Sequence, residues 1–95
     1  MIALYVEYAI RDGCSREDFY RKLIAQGVPA ATRGEDGCLS YRFLYPAAGE
    51  NSVILLEAWR DERAQLAHKS TPQFTALQQL KAAYVAETSF RAFEA

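Results

Sequence analysis

Glu57, Trp59 and His68 are the residues of this chain whose types and spacing could do chemistry. Trp59 and His68 are its only tryptophan and only histidine, nine positions apart. Imidazole titrates near pH ~6.5 in water, so a histidine can take a proton from a substrate hydroxyl at neutral pH. An indole supplies a broad apolar wall with a single N–H donor that can reach a substrate oxygen. Glu57 alternates onto the same side as Val53, Leu55 and Trp59, and an acid on so apolar a side must be paired or functional. Each residue also has a plainer reading. His68 can end a helix with its ring bonded to backbone, Trp59 can fill core at a strand end, and Glu57 can form a salt bridge with Arg42 or Arg91, across a subunit boundary if necessary.

The elements that must position these residues follow from periodicity. Ile2 to Ala9 alternates Ile2, Leu4, Val6 and Tyr8 against Ala3, Tyr5 and Glu7, which predicts a strand. After the turn at Arg11-Asp12-Gly13, Ser15 can cap a helix whose stripe is Phe19, Leu23, Ile24, Val28 and Ala31, with Asp18 completing a weak capping box. Gly27-Val28-Pro29 should kink or break it, giving a bent helix that ends near Arg33-Gly34. Glu35-Asp36-Gly37 is turn chemistry, and Cys38 to Tyr45 alternates Leu39, Tyr41, Phe43 and Tyr45 against Ser40, Arg42 and Leu44. Pro46 to Asn51 is a hairpin-length connection to a strand over Ser52 to Trp59. Asp61 caps a short helix holding Leu66 and His68, Pro72 opens another carrying Phe74, Leu77 and Leu80, and Ala86 to Phe93 forms the last strand.

Strand, helix, two strands, one or two helices and a strand is the order of a split βαβ, ferredoxin-like α+β domain, an antiparallel sheet with helices on one face. The whole of residues 1–95 reads as one domain, with no repeat or linker. The strand ending at Trp59 carries Ile54, Leu56 and Ala58 on its second side, so both sheet faces are apolar. A second copy of the chain facing the open sheet, as a two-fold dimer, is the simplest cover.

Composition narrows the function classes. Eleven Lys and Arg against twelve Asp and Glu leave a net charge of −1 with signs mixed along the chain, which argues against nucleic acid and against an anionic membrane as partners. The opening MIALYVEYAI has no basic start and is interrupted by Glu7, unlike a signal peptide or a membrane span, so a cytoplasmic location is the default expectation. Cys14 and Cys38 flank a long helical segment and are read as free thiols, and neither has the second cysteine or histidine nearby that a metal site needs.

EDGCLSYRF, a hairpin, and then ILLEAWRDERAQLAHKSTPQF resemble the signature run of the antibiotic biosynthesis monooxygenase (ABM) family, which includes small quinol monooxygenases. Glu57-x-Trp59, His68, Ser70, Pro72 and Phe74 fall at the family's spacing, and the resemblance extends over nearly the whole chain. It implies a dimeric α+β barrel of ferredoxin-like subunits, with a pocket in each between sheet and helices. It further implies oxidation of a quinol or polyphenol by O2 without metal, flavin or haem. Relatives of other activity keep two alternatives open: an isomerase or lyase acting on a small carbonyl compound with the same pocket and base, and a non-catalytic dimeric ligand-binding protein. Haem-degrading relatives carry an iron-binding histidine where this chain has Gln78, a poor substitute. On the oxygenase reading the substrate is a small aromatic, His68 is the base and Trp59 a pocket wall. Tyr5, Tyr41, Glu57 and Phe74 are then the substrate contacts, the two tyrosines through hydroxyls that could hold a quinol oxygen.

Overall fold

A computed structural model describes residues 1–94. The elements run β1 (Ile2–Ile10), α1 (Arg16–Ala25), α2 (Val28–Arg33), β2 (Cys38–Leu44), β3 (Ser52–Trp59), α3 (Glu62–His68), α4 (Pro72–Tyr84) and β4 (Val85–Glu94). The four strands form one sheet in the order β2-β3-β1-β4, every neighbour antiparallel. This is the ferredoxin-like α+β fold expected from the order of the elements. Among the described residues no helix is long and apolar enough to cross a membrane.

Register decides which residues share a face. Leu4, Val6 and Tyr8 of β1 stand opposite Glu57, Leu55 and Val53 of β3, and Tyr41 and Phe43 of β2 stand opposite Glu57 and Leu55. These residues face the helices and, with Phe19, Leu23, Leu77 and Tyr84, make the core. Phe19 is fully buried, edge-on to Tyr8 at 5.9 Å and tilted against Tyr84 at 5.7 Å. The other face carries Tyr5 and Glu7, Ile54 and Leu56, Arg42 and Leu44, and Arg91 and Phe93 on successive strands, and none of the helices lies on it.

The helices begin where the sequence signals say. The Ser15 hydroxyl accepts from the Asp18 backbone N–H at 3.1 Å, Asp61 from Ala64 at 2.9 Å and Thr71 from Phe74 at 3.2 Å. The expected single bent helix is instead two helices. Gly27 takes a left-handed conformation, φ 72°, that ends α1, and Pro29 sits in the first turn of α2, where its missing N–H is not needed. Thr32, fully buried in α2, donates its hydroxyl to the Val28 carbonyl at 2.8 Å. At the other end of the chain α4 passes into β4 without a loop, and Arg11 ties the junction by donating to the carbonyls of Ala82 and Val85.

Candidate active site

The site is built where β3 ends and α3 folds back over it. Glu57 and Trp59 point to the helix side of the sheet, and the indole N–H of Trp59 donates to Glu57 Oε1 at 3.0 Å. The seven residues of α3 return the chain so that His68 lies on the indole, ring centroids 4.9 Å apart and tilted by 32°. Phe74 and Tyr41 meet the imidazole edge-on at 5.2 and 6.0 Å, and the residue is only 4% exposed.

One polar group is admitted to this aromatic enclosure from the turn before β2. Glu35 Oε2 lies 2.8 Å from His68 Nδ1 and also accepts from Gln73 Nε2 at 2.9 Å. An ionised carboxylate is acceptor only, so in the neutral imidazole the pairing places the hydrogen on Nδ1 and the lone pair on Nε2. Nε2 has no hydrogen-bond partner among the described residues. Gly37 lets the turn come this close. Its φ is +83°, and a side chain there would place Cβ 2.5 Å from Cβ of Ala64 on α3. The Arg60 N–H donates to the Gly37 carbonyl at 2.8 Å, and the Arg60 guanidinium spans to Asp36, so the turn is pinned beneath α3.

On the side of His68 away from this support lies a cavity of about 170 Å³. Leu4, Val6 and Tyr8 form its floor, Glu57, His68 and Phe74 one end, and Lys69, Gln78, Lys81 and the exposed Phe90 its rim. Burial pushes the Glu57 carboxyl above its ordinary range, while the indole hydrogen bond and neighbouring His68 hold it back. Burial also raises the Tyr8 hydroxyl, with Glu57 adding to the effect. A group able to accept a proton from a bound hydroxyl, beside a desolvated carboxyl and against aromatic walls, is equipped for proton abstraction from a small apolar molecule.

Comparison with known proteins decides the family. The model for "Antibiotic biosynthesis monooxygenase" matches residues 1–80. The chain belongs to the ABM family. It is 34% identical over 59 residues to "Putative monooxygenase YcnE" of Bacillus subtilis, an alignment covering 62% of this chain and 60% of that protein. The chain thus spans less than two thirds of the curated relatives it matches, and 35% of a second, the uncharacterized protein sll1783 of Synechocystis. Among solved structures, PA3566 from Pseudomonas aeruginosa superposes with a TM-score of 0.86 at 23% identity, covering 99% of this chain and 92% of that one. Rv0793 from Mycobacterium tuberculosis gives 0.85 at 22%, covering 99% and 93%. At such identities these two likenesses speak for the fold.

Within this ABM chain, the residues singled out in the sequence divide into three groups. His68, Glu57 and Phe74 line the cavity. Trp59 and Tyr41 do not. Both are buried behind His68, the Trp59 N–H is already given to Glu57, and the enclosed Tyr41 hydroxyl is turned to the Thr32 side chain, making no full hydrogen bond among the described residues. Tyr5 lies on the opposite face of the sheet, between Leu56 and Arg91 on its neighbouring strands, so it cannot share a ligand with His68 in the same subunit. The salt bridge from Glu57 to Arg42 or Arg91 does not form within the subunit for the same reason, since Arg42 stands opposite Leu56 and Arg91 opposite Tyr5. Glu35, Gln73, Tyr8, Lys81 and Phe90 belong to the site without having been singled out. Glu35 had carried only the signature of a turn acid.

Proposed function

We propose that the chain is a monooxygenase that oxidises a small quinol or polyphenol with O2, using His68 as the base. The observation carrying this reading is the Glu35–His68 pair beside a cavity that His68, Tyr8 and Phe74 line, in a chain of the ABM family, with Nε2 read as the proton acceptor. The substrate hydroxyl proton passes to Nε2, and the resulting phenolate is far more easily oxidised than the phenol. O2 then takes its four electrons from the substrate. A ring C–H ortho or para to the hydroxyl becomes a carbonyl, one oxygen atom enters the quinone product, and the other leaves as water with the two hydrogens lost. No separate reductant is needed for that balance. Glu35 stabilises the imidazolium formed in the first step, and the aromatic walls keep water from the phenolate. The cavity is smaller than the ~300–1,000 Å³ typical of drug-sized ligands, which favours one-ring substrates.

The uncovered sheet face supports a homodimer as part of the same reading. Tyr5, Ile54, Leu56 and Phe93 supply an apolar centre, and Glu7 lies on the same face as Arg42 and Arg91, so a two-fold contact can pair opposite charges. Leu56→Asp should convert a dimer to a monomer in sedimentation equilibrium.

Oxygen uptake tests the chemistry. One-ring hydroquinones with and without a carboxylate, naphthols and anthrones are offered aerobically to wild type and His68→Ala beside a protein-free control. Uptake that needs the protein and falls in the variant supports the oxygenase. Rates no higher than autoxidation across the panel would refute it and turn attention to an isomerase or a ligand-binding protein.

A further inference from the structure

The cavity holds charge that proton abstraction does not use. Lys81, on α4, is half-buried, its Nζ 5.1 Å from the centroid of the Tyr8 ring on the cavity floor. Lys69, the residue that follows α3, is exposed at the cavity. Neither ammonium makes a salt bridge among the described residues. With Glu35 engaged behind His68, the groups facing the space are two cations and the single acid Glu57. A lysine drawn partly out of water with no salt bridge, and only an aromatic face beneath it, is costly to hold, and burial lowers the Lys81 ammonium, with Glu57 only partly opposing.

Helix geometry sets the spacing along α4 of the residues that carry this cation and pack on the base. Phe74, which packs on His68, and Lys81 both line the cavity from α4. Seven residues of helix separate their backbones by about 10 Å, a spacing compatible with one aromatic ring lying along α4 between the two side chains. The ring between them would lie over Val6 and Leu4, with exposed Phe90 at its edge.

We propose that the cavity selects a one-ring phenol bearing an anionic substituent, a carboxylate in the simplest case, with the phenol oxygen at His68 Nε2 and the anion at Lys81, Lys69 standing at the opening. The proposal rests on the reading of His68 as the group that meets the substrate hydroxyl, and it adds the class of substrate. The lysines give selection by charge in a cavity whose remaining walls would accept many small aromatics. A charge-assisted bond in a partly desolvated place outweighs the same contact to a neutral group.

The test compares 4-hydroxybenzoate with 4-hydroxybenzamide, nearly identical in shape and different in charge. Binding is measured under nitrogen by titration calorimetry at low salt, and the ring signals of the only histidine report whether each ligand reaches His68. Wild type should bind the benzoate at least tenfold more tightly than the benzamide. Lys81→Met, which keeps the apolar stem, should reduce that ratio below threefold by weakening the benzoate far more than the benzamide, and Lys81→Glu should invert it. Thermal melts of both variants verify folding, and Lys69→Met provides a second, more exposed site for the same comparison. Equal affinities in wild type, a ratio that survives in Lys81→Met and Lys81→Glu, or benzoate binding that leaves the His68 signals unmoved would each overturn the proposal. Because no turnover is required, a failure of oxygen uptake sinks the oxygenase reading alone, and a missing charge preference sinks the substrate class alone.

Discussion

Replacing Glu35 by alanine should separate the support of His68 from everything else in the site. The carboxylate is nearly out of solvent, with side-chain exposures of 12% for Glu35 and 5% for His68, so water cannot readily replace it. Hydrogen bonds to a charged partner contribute about 1.5–3 kcal/mol each, and a buried donor left unmade costs about 1–3 kcal/mol. The bond from Gln73 counts for little, because that half-buried amide can turn to water. The bond from Nδ1 counts in full, because the ring is held between Trp59 and Phe74. The expected loss is therefore about 2–3 kcal/mol, which in a domain of this size lowers Tm by roughly 8–24 °C. A second readout is specific to the pairing. Nitrogen NMR of the single histidine ring should show protonated Nδ1 and a bare Nε2 in neutral wild type, and a growing share of the opposite tautomer in Glu35→Ala. Glu35→Gln, which retains an acceptor, should lie between the two. A Tm within about 3 °C of wild type together with an unchanged tautomer would refute the argument that Glu35 fixes the ring.

Glu57→Gln tests the buried carboxyl. Because its pKa is raised in the folded protein, the native state keeps a proton that the unfolded chain gives up, and the stability this provides is lost as pH rises from the ordinary value of 4.5 through the raised one. The variant should match wild type near pH 4 and exceed it at pH 7, as measured by urea unfolding at both; equal differences at the two values would contradict this. Gly37→Ala should destabilise by more than about 2 kcal/mol, combining left-handed strain of about 1–2 kcal/mol with overpacking against Ala64. Gly49→Ala, with φ +80° and open space around it, should show the strain alone in the same melts. Tyr41→Phe removes a buried hydroxyl that makes no well-formed hydrogen bond among the described residues, only a weak approach to Thr32, so stability should change by less than about 0.5 kcal/mol or rise, and oxygen uptake should persist; loss of uptake would return Tyr41 to the substrate contacts.

Much of the frame was legible because it rests on local chemistry. Ser15, Asp61 and Thr71-Pro72 start helices through hydrogen bonds made within three residues of themselves. Alternation in β3 correctly divided Glu57 and Trp59 from Leu56. What alternation within one strand does not fix is the face on which a residue of another strand falls, because a register slip of one residue exchanges the faces. Tyr5 and Tyr41 look alike as strand tyrosines, yet pairing puts Tyr41 opposite Glu57 and Tyr5 opposite Leu56. The same parity separates Glu57 from Arg42 and Arg91. Glu35 was illegible for another reason. Its partner lies thirty-three positions away, and the close approach that joins them depends on a missing Cβ at Gly37 rather than on any pattern in the acid's own neighbourhood. The split of the helix at Gly27 sits between these cases: the breaker was visible, but a kink and a complete stop carry the same residues.

The pairing of β1 with β4 sets a condition on how the molecule is made. β1 lies inside the sheet, and one of its edges is completed by the strand furthest from it in sequence, Ile2 facing Glu94. Closing so long a loop adds only modest entropy over a shorter one, since each doubling of length costs about 0.6 kcal/mol, yet contacts this remote slow the search for the native arrangement. On the ribosome, β1 emerges first and must wait with an unpaired edge until α4 has been synthesised and β4 follows it. The loopless junction between α4 and β4 shortens that wait at its end: once α4 has docked on the core, Arg11 can grip the carbonyls of Ala82 and Val85, and the last strand starts already aligned beside the first.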